Sequence, residues 1–82
     1  MSDKYRRLSA VIDAIQFDGS NYPECESFLE GHYDNTLKHP NVTTPSGTVR
    51  VDVGSWIIKG VAGEFYPCKP DIFEQTYERV EE

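Results

Sequence analysis

The sequence predicts a small α+β domain: a curled, mainly antiparallel sheet of five or six strands, with one longer and one shorter helix. Three observations support this. Short runs rich in Val, Ile, Phe and Trp alternate with polar residues at a period of two, the pattern of a half-buried strand. Turn residues such as Asp18-Gly19-Ser20 and Pro45-Ser46-Gly47 bound these runs. Two segments open instead with helix-start chemistry, Asn21-Tyr22-Pro23-Glu24 and Pro70-Asp71. At 82 residues the chain makes one domain, residues 1–82, near the lower end of what folds without staples or partners.

Residues 1–9 are polar and basic and read as a flexible arm that becomes ordered near Leu8. "AVIDAIQF", Ala10 to Phe17, has no helix cap and reads as the first strand. Val11, Ile15 and Phe17 fall on one face, Ile12 and Ala14 on the other. After the Asp18-Gly19-Ser20 turn, Asn21 is placed to cap a helix, with Glu24 three residues on as a capping box requires and Pro23 in the first turn. Gly31 stops that helix near Glu30, and Cys25, Phe28 and Leu29 form its apolar stripe.

His32 to Pro40 is polar and turn-rich. "NVTTPSGTVRVDV" then predicts a hairpin: a strand at 41–44, a turn on Pro45-Ser46-Gly47, and a strand at 48–53 with Val49, Val51 and Val53 facing one way. Gly54-Ser55 breaks it. Trp56 to Lys59 starts a strand, Gly60 to Gly63 turns the chain, and Glu64 to Cys68 pairs back. Pro67 has no N–H for a sheet ladder and marks an edge or the end of pairing. "PDIFEQ" is the shorter helix, and Thr76 to Val80 returns as a closing strand.

Composition narrows the function. Hydrophobic residues make up 38% of the chain and aromatics 12%, so aromatic side chains supply much of a small core, a case in which self-association often helps. A homo-oligomer is expected. The net charge of −6, from 14 acids and 8 bases, repels polyanions and argues against general nucleic-acid binding. Lys4, Arg6 and Arg7 gather at one end and Glu78, Glu81 and Glu82 at the other; they pair if the two ends meet, and are otherwise solvated. No apolar run is long enough to span a membrane and no signal peptide follows Met1, so a cytoplasmic location, without membrane, is expected. Cys25 and Cys68 are expected to be reduced.

The residues that carry chemistry elsewhere do not assemble here into a catalytic pattern. His32 and His39 lie seven apart in a turn-rich segment, and neither cysteine has a Cys or His within four residues, so no metal site is expected. Lys69 beside Cys68 lowers the thiol's pKa, but no histidine is fixed nearby to act as its base. Glu64 and Asp71 are the carboxylates placed to face each other, although Asp71 equally serves the amino end of its helix. No phosphate loop, dinucleotide fingerprint or Gly-x-Ser-x-Gly elbow is present. Neither an enzyme nor a cofactor is expected.

"VGSWIIKGVAGEFYPCKPDIFEQTYE", residues 53 to 78, resembles a family of small phage and prophage proteins. That family has a Gly-Asp/Ser-Trp/Tyr strand start, a Gly-Glu-aromatic-Tyr/Trp-Pro element, and a terminal Asp-x-Phe-Glu-x-Thr-Tyr-Glu. "AVIDAIQFDG" is similar to its first strand. The resemblance runs over residues 8–80 apart from 32–47 and implies a phage origin, without a biochemical role attached. Ser55 stands where an acidic residue is frequent, so no role passes to an acid there.

Binding is what remains. Trp56, Phe65 and Tyr66 lie on paired strands close to Arg50, Lys59 and Lys69, the aromatic faces and cations needed to stack a base and neutralise a phosphate. Alternation forbids Phe65 and Tyr66 from both facing one core, which leaves one, Tyr66, for a ligand. The first functional reading is a non-enzymatic phage accessory protein in the host cytosol. It would sequester a host-derived anionic small molecule, a nucleotide immune signal, between subunits on Arg50, Lys59, Tyr66 and Lys69. The second is a protein-interaction or structural module that contacts a host or virion protein.

Overall fold

Alternation along "AVIDAIQF" organises the whole molecule, because it produces a strand that is buried on both faces. Ile15 and Phe17 pack into one apolar cluster, Ile12 and Ala14 into another on the opposite side of the sheet. A computed structural model describes residues 3–7 and 10–79. In chain order they form β1 (Asp3–Arg7), β2 (Ala10–Gln16), α1 (Tyr22–Leu29), β3 (Asn41–Thr44), β4 (Gly47–Arg50), β5 (Trp56–Lys59), β6 (Phe65–Cys68), α2 (Pro70–Thr76) and β7 (Glu78–Arg79). The main sheet runs β6-β5-β2-β1-β7, each neighbouring pair antiparallel, and β3-β4 is a separate two-stranded sheet. The fold is α+β as expected, but the main sheet is open and not strongly curled.

Of the residues expected to be a flexible arm, Asp3–Arg7 form a strand. Asp3–Arg7 pairs with β2 along its full length and with β7 on its other side, Arg6 standing opposite both Val11 and Glu78. The two ends of the described chain therefore do meet. Leu8 lies outside the described residues, as do Val80, Glu81 and Glu82.

α1 covers one face of the sheet. Cys25 and Leu29 are fully buried against Ile15, Phe17, Ile57 and Phe65, and Phe28 packs edge-on to Phe65 at 5.7 Å. Removing a side chain of this size from water contributes about 1.5–3 kcal/mol. Val11, on the same face, lies beyond the helix and is half exposed. Glu30 and Gly31 end the helix with φ of 53° and 91°. The capping box does not form: Asn21 makes no side-chain cap hydrogen bond. Its amide instead closes the preceding turn, accepting from the Asp18 N–H at 2.9 Å and donating to the Gln16 carbonyl at 2.8 Å.

α2 covers the other face with a single buried residue, Phe73. Its ring stacks on Trp56 at 4.1 Å, with 5° between the planes, and on Tyr77 at 4.9 Å. Pro67 pairs with Ile57 on β6, an edge strand of the sheet, as its missing N–H suggests.

β3 and β4 join through Pro45-Ser46, and Gly47 takes a φ of 127°. β4 ends at Arg50, earlier than its valine alternation implies. Val51 turns inward, 2% exposed, and gives its N–H to the Pro40 carbonyl at 2.9 Å, while Val49 and Val53 are exposed. The hairpin stands beside β6, with Val42 and Val51 in the α1-side core. Asn41 anchors the preceding loop. It is 1% exposed, accepts from the Asp34 N–H at 2.7 Å, and donates to the carbonyls of Asp34 and His39 at 3.1 and 2.9 Å. The Tyr22 hydroxyl ties α1 to the same residue, donating to the Asn41 carbonyl and accepting from its N–H.

Cys25 and Cys68 are free and pack on opposite sides of the sheet. Burial pushes the Cys25 thiol up to about 11. With a folded pKa above its ordinary 9.0, the fold favours the protonated thiol. This contribution is complete below pH 9 and lost as pH rises toward 11, about 2–3 kcal/mol in all. Urea unfolding at pH 8 and pH 10.5 should show this loss, and a Cys25→Ala variant should show a smaller one. Without reductant, alkylation of the native protein should add one group at Cys68 and a second, at Cys25, only in denaturant. A mass two daltons low would reveal a bridge.

Candidate functional site

The strand ends near β6 bring two of the four expected ligand residues together. Arg50 is the last residue of β4, opposite Asn41, and Lys69 is the residue from which α2 starts. With Val49, Asp52, Ser55, Pro67 and Cys68 they line a depression of about 250 Å³. Ser55 is its buried wall: its N–H donates to the Asp52 carbonyl at 3.0 Å and its carbonyl accepts from Phe17 N–H at 2.9 Å. The Arg50 guanidinium stands 3.6 Å from Asp52, both side chains being about two-thirds or more exposed. An ion pair that open contributes at most about 1 kcal/mol, so an incoming anion has little to displace.

Cys68 belongs to the same depression, and its surroundings favour the protonated thiol. Burial first, and then Asp71, raise its pKa, so the expected lowering by Lys69 is overturned. The thiol leans on the Lys69 carbonyl at 3.6 Å. The carboxylates Glu64 and Asp71 are likewise not a facing pair, since β6 runs between them and Asp71 lies in the first turn of α2.

Lys59 and Tyr66 lie elsewhere. In the β5–β6 pair Trp56 stands opposite Cys68, and Lys59 opposite Phe65. Lys59 is thus at the far end of the hairpin, about 10 Å along the strand. Its ammonium is held by Glu30 at 3.0 Å and sits 5.8 Å from the Phe65 ring. Tyr66 faces the α2 side and is half-buried with Trp56, Ile58 and Phe73. The alternation of Phe65 and Tyr66 is real, yet neither is left over, because each face of the sheet has its own cover.

A second depression, of about 380 Å³, opens at the other end of β6 between the hairpin tip and the β5–β6 turn. Phe65, 1% exposed, lies beneath it, with the exposed His32 ring 4.8 Å away. The His32 Nδ1 lies 3.0 Å from the Leu29 carbonyl. Sequence reasoning missed this place, since His32 and Phe65 are far apart in the chain; the one local signal was a glycine at position 60. No group of three or more His, Cys, Asp or Glu among the described residues is placed to hold a metal ion. Among those residues no helix is long and apolar enough to cross a membrane. Comparisons of the chain with protein-family models, with curated proteins and with solved structures find no match.

Proposed function

We propose that this chain is a phage-encoded accessory protein that binds rather than catalyses. On this reading it acts as a homo-oligomer in the host cytosol and sequesters a nucleotide whose anionic group rests between Arg50 and Lys69. One observation carries the ligand class: two cations from distant parts of the sequence flank one depression that also holds Ser55. Arg50 offers a planar fork for a phosphate and Lys69 a point charge. A volume of about 250 Å³ is below the usual range for a whole small-molecule site, so a second copy of the chain would cover the remainder of the ligand. The phage origin rests on the sequence resemblance over residues 8–80 apart from 32–47, and on nothing else. A protein-interaction role is favoured separately by exposed apolar residues at the β5–β6 turn, where Val61 is 78% exposed.

Calorimetric titration with nucleotides tests the reading. Arg50→Gln and Lys69→Gln should each weaken binding about ten-fold or more, the effect of one charge-assisted contact. Lys59→Gln should change little, since Glu30 already holds that ammonium. Substitutions at Lys4, Arg6 and Arg7 serve as controls, because three strand spacings separate β1 from β6, about 14 Å. Nucleotide affinity unchanged in the Arg50 and Lys69 variants, or no nucleotide binding at all, would overturn the proposal. Native mass spectrometry of protein taken from infected cells should show the bound small molecule.

A further inference from the structure

Five of the six glycines have a positive φ; Gly60 is the exception. Its φ lies outside the left-handed region, so a strained backbone does not explain the glycine. A Cβ at this position would meet the Glu64 carboxylate, whose Cδ would lie 2.8 Å away, and would push that flexible end aside at little cost. The missing side chain lets that carboxylate fold down over the turn, where the Gly60 N–H also donates to the Glu64 carbonyl at 2.8 Å. Seated this way, the carboxylate makes no hydrogen bond or ion pair with another described residue. Lys59, the nearby cation in sequence, is already held by Glu30 at 3.0 Å.

Glu64 forms one wall of the depression of about 380 Å³ over Phe65 and His32, which Thr43, Pro45 and Ala62 also border. No Lys or Arg lines it. Exposed apolar groups at Pro45 and Ala62 beside a single carboxylate fit a group with an aliphatic body and a cationic end. We propose that the depression receives a basic side chain, lysine or arginine, from a partner protein. Its stem would lie over Pro45 and Ala62 and its charge on Glu64, the arrangement in which long basic side chains bury their stems and keep their heads polar. The rim favours a protein over a free amine. Val61 is 78% exposed, and Ala62 and Pro45 are exposed beside it. A partner's surface covers those residues, whereas a small amine leaves them in water. The chain's net charge of −6 steers basic partners toward it. This site is independent of the one between Arg50 and Lys69.

The test is an NMR titration with an acetylated, amidated Val-Lys-Val peptide, its norleucine counterpart, and n-butylammonium. The lysine peptide should shift the amides of residues 62–65 and bind about five-fold more tightly than the norleucine peptide, the scale of one partly exposed ion pair. Glu64→Gln should erase that difference while leaving the melting temperature unchanged. Arg50→Gln should leave the difference intact. Equal affinity for the two peptides, no binding of either, or persistence of the preference in Glu64→Gln would overturn the proposal. Butylammonium binding as tightly as the peptide would overturn the protein partner.

Discussion

Replacing Phe73 by alanine is expected to cost about 3–5 kcal/mol, a large share of the stability of a domain this size. Phe73 is the only buried residue of α2, and the second core cluster consists otherwise of Ile12, Ala14 and Ile58 with half-buried neighbours. Without the ring, the sheet face and the Trp56 indole lose their cover together. Trp56→Ala should be similarly damaging, because the indole lies flat on Phe73 at 4.1 Å. The two losses should not add: a stacked pair couples by about 0.5–1.5 kcal/mol, and a double-mutant cycle by urea unfolding reads this directly. An unchanged midpoint in Trp56→Ala would place the indole outside the core.

Asn41→Ala is the second large effect, about 2–4 kcal/mol. The substitution removes one acceptor and two donors from a site that is 1% exposed, and leaves the Asp34 N–H and the Asp34 and His39 carbonyls without their amide partner. Asn41→Asp is expected to do no better. It keeps the acceptor but turns a carboxylate oxygen toward two carbonyls. Protease cleavage within residues 34–39 should accelerate in both variants; unchanged cleavage would mean that the loop is held by something else.

The second half of the chain was legible because its structure is local. β5, β6 and α2 follow one another through turns written in Gly60–Gly63 and Pro70-Asp71, and each face of β2 could be read from alternation. β1 was not legible. Its five residues, "DKYRR", carry no apolar alternation, and its strand state comes from pairing with β2 and with β7 at the far end of the chain. Val49, Val51 and Val53 misled for the opposite reason. Alternation continues, and the Val51 N–H still meets the Pro40 carbonyl in the hairpin's register, but only Val51 finds a core to enter while Val49 and Val53 face water. The same limits governed the candidate site. Arg50 and Lys69 were brought together by strand ends, but the distance to Lys59 and the face of Tyr66 depended on register, which no turn residue announced. The depression over His32 and Phe65 depended on a loop whose shape is set by one buried amide.

The pairing of β1 with β7 also bears on how the protein is made. Tyr5 meets Arg79, so the second neighbour of the first described strand is made only after nearly all the other described residues. Until then β1 has only β2 beside it, and its other edge carries open N–H and C=O groups, a template for strands of other chains. Closing that gap brings together residues separated by nearly the whole described chain, which places it late in folding. A chain cut before Glu78 should therefore aggregate more than one that contains β7, and equal aggregation would mean that this edge is protected in another way.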